Sequence, residues 1–530
     1  MNPRQSLVAL STLLLLSSAV IQAHGDDKLG NVTFPISCKA EVQPAFNRAV
    51  AILHNFWYPQ SLNAFIEVAK ADPDCAMAYW GIAMAVRTNP LLGDQPTLAM
   101  KRGWDEISKA KAANAKTERE RDYIAALELY FKNLDEGDYP SRVLAYEKAM
   151  EQLAARYPDD TEAAVFYALA LNEGITVTPA DKIYTRHLKA AGIIEKILAK
   201  QPDHPGALHY LIHSYDFPGL ATRGLPAADH YATVAPAAPH AVHMPSHIYT
   251  VLGMWEESIK ANQAALAIAK TYVHTIDFMV YAHLQMGQDR EALRLMETSA
   301  ALQKSGPAAM RSPTGGVLPV YTAYAAIPAR VAIERNAWAD AAALELRPTA
   351  PAADAITHFT RAMGSANLRD TANAAKEITA LQTLKDELLS SKNAYWAEQV
   401  DIQIKAATAW AAQAQGKGTE ALKLMRAAAD AEDASEKHVA MENRLWPMRE
   451  LLGELLLELK QPGSALKEFE KSLAAYPNRF RGFYGAARAA DAAGDRQKAA
   501  DYYAKLVALT KNADSARPEL ARAKAYLAQR

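Results

Sequence analysis

The chain has 530 residues, with 58 Lys and Arg against 59 Asp and Glu, and a formal net charge of -1. That length exceeds what one hydrophobic core organises, so several domains or an extended repeat array are expected. The charge balance supplies no field for a nucleic acid or an anionic membrane surface, so neither is expected as a partner. An aromatic content of only 8 %, together with abundant alanine, favours close-packed helices over strands.

In chain order, the first feature is an export signal. Arg4 supplies a positive end, an apolar run extends from Leu7 to Ala23, and small residues lead to a cleavage point after Ala23. Residues 1–23 are therefore assigned to a signal peptide, and the mature protein to the periplasm or the exterior. The competing reading, an uncleaved anchor, meets a run that is short and broken by Ser11, Thr12, Ser17 and Ser18. No later stretch approaches the ~20 apolar residues of a membrane span. Cleavage after Ala23 would leave His24 first, where its amine and ring could chelate copper; the polar sequence HGDD favours an unstructured end instead. Cys38 and Cys75 are the only cysteines. In an oxidising compartment an isolated pair reads as one disulfide, with two buried thiols as the alternative.

A 34-residue period organises the rest. Leu452 and Gly453 open a helix, and Ala465, Phe469 and Pro477 follow where a tetratricopeptide repeat (TPR) places small, aromatic and proline residues; Ala499 and Tyr503 lie one period on. Phe65 and Pro73 repeat the separation of Phe469 and Pro477, and Pro158 and Pro202 precede fresh helices. The expected fold is all-α: antiparallel helix pairs stacked into a TPR-like superhelical solenoid, each pair covering the apolar face of the last. Pro/Gly-rich interruptions fall at Ser305–Pro319 and Arg347–Ala353. The first is a loop long enough to fold over the groove. The second divides the chain into an N-terminal solenoid, 24–345, and a C-terminal one, 346–530; slack linkers are the alternative for both.

Nine of the 14 histidines lie between His204 and His283. His209 and His213 are four apart and share a helix face, as do His243 and His247. The second pair follows the first by 34 residues, and a further 34 reaches Asp277 and Tyr281. Counted from Pro202, the groove-facing positions of these three repeats are Gly206, His209, His213, Asp216, His240, His243, His247, Thr250, His274, Asp277, Tyr281 and Leu284. Half are histidine, whereas the corresponding positions elsewhere, such as Trp80 and Met84 or Val165 and Leu169, carry none. Neighbouring helices sit ~8–10 Å apart, so imidazoles on adjacent inner helices can meet between them. His209, His213, His243, His247 and Asp277 are the expected metal ligands, with Asp216, His240, His274 and Tyr281 behind them or on a bound ligand. Imidazole with carboxylate and no thiolate suits zinc, copper, iron or nickel. Recognition of an acidic peptide or small anion by protonated histidines, and plain structural hydrogen bonding, are the competing readings. His204, His230 and His283 fall off the groove and read as structural or surface residues. Glu436, Lys437 and His438 read as a solvated turn, and no nucleophilic triad, phosphate loop or HExxH motif is present.

The stretches CAMAYWG from Cys75, HYLIHSYD from His209, HAVHMPSHI from His240, YAAIPAR from Tyr324 and NRFRGFYGAARAA from Asn478 resemble a family of exported bacterial TPR proteins. The resemblance implies a repeat fold in a Gram-negative cell envelope and no particular activity. Two functions are carried forward: a scaffold that takes a protein or peptide in its groove around a metal, and a metal-dependent hydrolase or oxidoreductase centred in the same groove. In the second, the metal keeps an open position and Asp277 or Tyr281 transfers protons.

Overall fold

A computed structural model describes residues 28–93, 96–132, 138–306, 311–438 and 444–529. The expected signal peptide, residues 1–23, and His24 lie outside these residues.

Every regular element among the described residues is helical, and successive helices pack against one another from Gln43 to Ala528. The sequence sets the ends of these helices locally. Proline opens many of them, including Pro205–Tyr215, Pro239–His243, Pro245–Val251 and Pro462–Ala475, where its missing N–H would have no helical partner anyway. Asp160, Asp370, Asn393 and Asp495 cap others by accepting backbone N–H groups. Gly253 and Gly287, one 34-residue period apart, both stop helices at positive φ, 66° and 69°.

The repeat signature is a packing device. A Cβ on Gly453 would lie 2.7 Å from the Phe469 ring, and one on Gly485 would lie 2.2 Å from it. Phe65 fills the corresponding gap over Gly81, where a Cβ would sit 2.3 Å away. The small residue of one helix thus receives the aromatic of its partner, which sets the close approach of each pair. Cys38 and Cys75 form a disulfide that ties the segment before the first helix to the start of helix Ala76–Val86.

One expectation about shape changes. The wall expected to line an open groove is enclosed, because the C-terminal repeats return onto the middle of the chain. Trp255 Nε1 donates to Asn478 O at 2.8 Å, and Asn478 Nδ2 to Gly253 O at 3.2 Å. Arg517 Nε holds Asp289 at 3.0 Å, and Asp514 accepts the backbone N–H groups of Arg290 and Glu291. A buried ion network completes the seam. Arg479 meets Glu450 at 2.7 Å, Glu334 at 2.8 Å and the Tyr281 hydroxyl, while Arg330 meets Asp277 at 3.0 Å. Arg330 belongs to the YAAIPAR stretch, on helix Leu318–Glu334, and ties that helix to its neighbour Val273–Gln285, whereas Arg479 belongs to NRFRGFYGAARAA and fastens the returning repeats to the same helix. The described part of the first interruption crosses to the N-terminal helices, with Gly315 against Thr88 and Gly316 against Leu92. Around the second interruption, Trp338 stacks on Trp446 at 5.9 Å, and Ile333 shares a core cluster with Phe359 and Leu381.

Candidate metal centre

Three consecutive inner helices supply six histidines. Helix Pro205–Tyr215 carries His209 and His213, and helix Val273–Gln285 carries His274. Between them the HAVHMPSHI stretch is split, because Pro245 cannot donate into a continuous helix; Pro239–His243 bears His240 and His243, and Pro245–Val251 bears His247. All six are buried, between 0 and 4 % exposed.

They sort into two sets of three. In the first, His209 Nε2 faces His213 Nε2 at 3.1 Å and His240 Nε2 at 3.2 Å. In the second, His243 Nε2 faces His247 Nε2 at 3.1 Å, and the His274 ring lies 4.9 Å from that of His243. Within each set, one ligand atom per residue lies within 4.8 Å of the other two. Nitrogens bound to one metal at ~2.0–2.1 Å in a tetrahedral arrangement stand about 3.3 Å apart, so the observed separations need little adjustment.

The opposite nitrogens are held from outside. His209 Nδ1–H donates to the backbone carbonyl of His54 at 2.6 Å, and His240 Nδ1 meets the Tyr272 hydroxyl at 3.0 Å. His243 Nδ1 meets Asn262 Oδ1 at 2.7 Å, and Asn262 Nδ2 donates to Ser258 O at 2.8 Å, which fixes the amide so that its oxygen faces the ring. His247 Nδ1 meets Asp216 Oδ2 at 2.8 Å, and the same oxygen receives Lys437 Nζ at 2.7 Å. These partners assign the proton of His209, His243 and His247 to Nδ1 and leave the Nε2 lone pair pointing inward.

That assignment has an energetic consequence. The lone pairs of His243 and His247 face each other across 3.1 Å in an interior without solvent access. Such an arrangement is repulsive unless a cation lies between them. A proton is a poor choice: burial, reinforced for His240, His243 and His247 by the surrounding imidazoles, holds those three well below their ordinary pKa, and burial lowers His209 to about 3. A metal ion satisfies both nitrogens.

Relative to the sequence expectations, the structure brings His209 and His213 together with His240, and His243 and His247 together with His274, so that the two residues expected behind the ligands stand in the same groupings as the four. Asp277 is in neither set among the described residues; its Oδ1 accepts from Arg330. Tyr281 faces Arg479 instead of the histidines. Asp216 does lie behind a histidine. Lys437 and His438 are no solvated turn: they are 6 % and 9 % exposed, and Lys437 reaches into the site from more than two hundred residues away. Asn262, Tyr272 and the His54 carbonyl had no signal in the sequence, because none falls on the groove face.

A third grouping, His54, Glu162 and His204, is closed to a metal. His204 Nδ1 accepts from Ala207 N–H at 3.2 Å, so its Nε2–H donates to Glu162 at 2.9 Å. Glu162 also meets His54 Nε2 at 2.8 Å, and His54 Nδ1 meets the Tyr210 hydroxyl at 2.9 Å. The group braces helix Gln43–His54, whose last carbonyl holds His209. Beyond Lys437 lies a cavity of about 1080 Å3, lined also by Arg142, Arg186, His187, Tyr395 and His438.

No protein-family model matches the chain, and no curated protein does. Among solved structures it is similar to the Cut9–Hcn1 hetero-tetramer of the APC/C, with 11 % identity and a TM-score of 0.34 over 92 % of this chain and 89 % of that one. It is also similar to Naa15/Naa10 bound to HypK-THB, with 12 % identity and a TM-score of 0.25 over 92 % of this chain and 73 % of that one. The repeat architecture itself rests on the helix pairs and small-against-aromatic packing described above.

Proposed function

We propose that this protein is an exported helical-repeat metalloprotein whose metal is held by the buried histidines of three consecutive inner helices. One observation carries the reading: the facing Nε2 atoms of His243 and His247, each with its Nδ1 on an acceptor, call for a cation between them. The export part rests on the leader-like N terminus and on the resemblance to exported bacterial repeat proteins. No described helix is long and apolar enough to cross a membrane.

Enclosure of the histidine wall favours the metal-dependent enzyme over a scaffold that lays a peptide along an open groove. Three imidazoles per metal leave a coordination position for a reactant, as in catalytic sites.

Elemental analysis of protein isolated from the cell envelope and after anaerobic reconstitution tests the reading, beside the His209→Ala/His243→Ala double variant. Stoichiometric metal in the wild type and none in the double variant is expected, with metal raising the Tm of the wild type alone. Reconstituted wild type without stoichiometric metal overturns it and returns the cluster to structural hydrogen bonding.

A further inference from the structure

The six histidines do more than supply four ligands to one ion. His209, His213 and His240 make one complete three-nitrogen set, and His243, His247 and His274 another. The sets interlock. His240 and His243 share the five-residue helix Pro239–His243 with ring centroids 5.8 Å apart, and His213 of the first set lies 6.0 Å from His247 of the second. An ion held by each set, ~2.0–2.1 Å from its nitrogens, would stand close to the other, within reach of one bridging ligand.

We infer that the site is dinuclear: two copper ions, each held by three imidazoles, that together bind dioxygen between them. This rests on the metal reading above and deepens it.

The donor set argues for copper. Six imidazoles bring no negative charge, and the neighbouring carboxylates are already committed: Asp216 to Lys437, Asp277 to Arg330, and Glu162 to His54 and His204. Two divalent ions would place four positive charges among buried imidazoles with no uncommitted carboxylate in either set to offset them. The cost of burying an ion grows with the square of its charge, so two monovalent ions are far less penalised. Copper is the imidazole-binding metal with a stable monovalent state, and its divalent state heads the affinity order of the first row. The absence of a carboxylate from both sets among the described residues also departs from the two-histidine, one-carboxylate pattern of non-haem iron.

The pairing defines a balanced step. Each Cu(I) gives one electron to O2, so two Cu(I) and one O2 become two Cu(II) bridged by a peroxide dianion. No proton or external reductant is needed, and loss of O2 reverses the step. The two negative charges of the bridge arrive as the metal charge rises from two to four, so the net charge of the site stays constant. That conservation suits a dry site, where uncompensated charge is costly.

The test uses the full mature chain loaded anaerobically with Cu(I), then titrated with O2 and followed by metal analysis, visible absorption and electron paramagnetic resonance. Expected are two coppers per chain, uptake of one O2 per pair with an intense charge-transfer band, and an oxidised state whose Cu(II) signal is nearly absent through coupling. His213→Gln and His274→Gln each break one set only. Each is expected to retain one copper and, after oxidation, to show the full signal of an isolated Cu(II). One copper per wild-type chain overturns the dinuclear inference and leaves the metal reading standing, as do two coppers whose oxidised signals integrate to two isolated ions. Preference for zinc when both metals are offered overturns the copper assignment alone. Absence of any metal removes both readings. Because wild-type stoichiometry decides, the outcome does not depend on how well either variant folds.

Discussion

Asn262 is the most incisive single position for testing how the imidazoles are presented. It touches no metal, yet its Oδ1 accepts from His243 Nδ1 at 2.7 Å while its Nδ2 is tied to Ser258 O at 2.8 Å. Asn262→Ala removes that acceptor and leaves a buried ring N–H whose remaining neighbour is the Ser246 hydroxyl at 3.3 Å. The ring can then place its proton on Nε2, the atom the metal needs bare. Loss of such an orienting partner weakens metal affinity by roughly 10–100-fold, or about 1.4–2.7 kcal/mol. The unsatisfied group adds about 1–3 kcal/mol of lost stability in the metal-free protein. Chelator competition measures the first quantity and urea unfolding of the apoprotein the second. Asn262→Asp restores an acceptor and is expected to recover affinity, which separates orientation from a packing defect. Affinity in Asn262→Ala within threefold of wild type, with the apoprotein still folded, would refute the tautomer argument.

Four further outcomes are expected. Arg479→Met leaves Glu450 and Glu334 buried without their cation, which costs roughly 3–5 kcal/mol by analogy with broken buried pairs; urea unfolding should show it, and limited proteolysis should release the C-terminal repeats first. Gly206→Ala places a Cβ 2.5 Å from His54 Nδ1, so the brace behind His209 shifts; metal affinity should fall although the residue changed is neither polar nor a ligand, and an unchanged affinity would dissociate that brace from the site. Reduction of Cys38–Cys75, which spans 37 residues, removes about 4 kcal/mol on the chain-entropy model, read as a drop in Tm with reductant that the Cys38→Ser/Cys75→Ser variant no longer shows. His187 is held neutral by burial, with its pKa lowered to about 4 from 6.5, and neither ring nitrogen has a hydrogen-bond partner among the described residues. The unfolded chain therefore binds the extra proton between those values, so stability falls as pH drops from about 6.5 to about 4, by about 3 kcal/mol in all. His187→Leu should flatten that part of the stability–pH curve, and an unchanged slope would contradict the assignment.

Much of this molecule is legible along the chain because its order is local. Helix starts follow from Pro205, Pro239 and Asp160, helix ends from Gly253 and Gly287, and pair packing from Gly453 under Phe469; each involves residues within one repeat. The histidine wall was legible for the same reason. Spacings of four within a helix and 34 between helices bring His209, His213, His243 and His247 onto one surface, and counting the face gathers in His240 and His274. The count could not divide the six. His240 and His243 lie three apart, about 60° around one helix, and only the tilt of neighbouring helices sends one to His209 and the other to His247.

Periodicity also misled where it ran on. It placed Asp277 and Tyr281 in line with the histidines, but the neighbouring helix Leu318–Glu334 brings Arg330 against the first and the returning repeats bring Arg479 against the second, and a buried carboxylate goes to the nearest cation. Lys437 marks the same limit from the other side. Its flanking charges describe a solvated turn, whereas the closed superhelix delivers it to Asp216, behind His247. The sequence by itself therefore determined the repeat, its caps and the wall that bears the imidazoles, all set by contacts within one or two helices. The tertiary structure alone decided the division into two triplets, the acceptors that aim them and the closing of the groove, because those depend on segments distant in the chain that meet only when the solenoid folds back on itself.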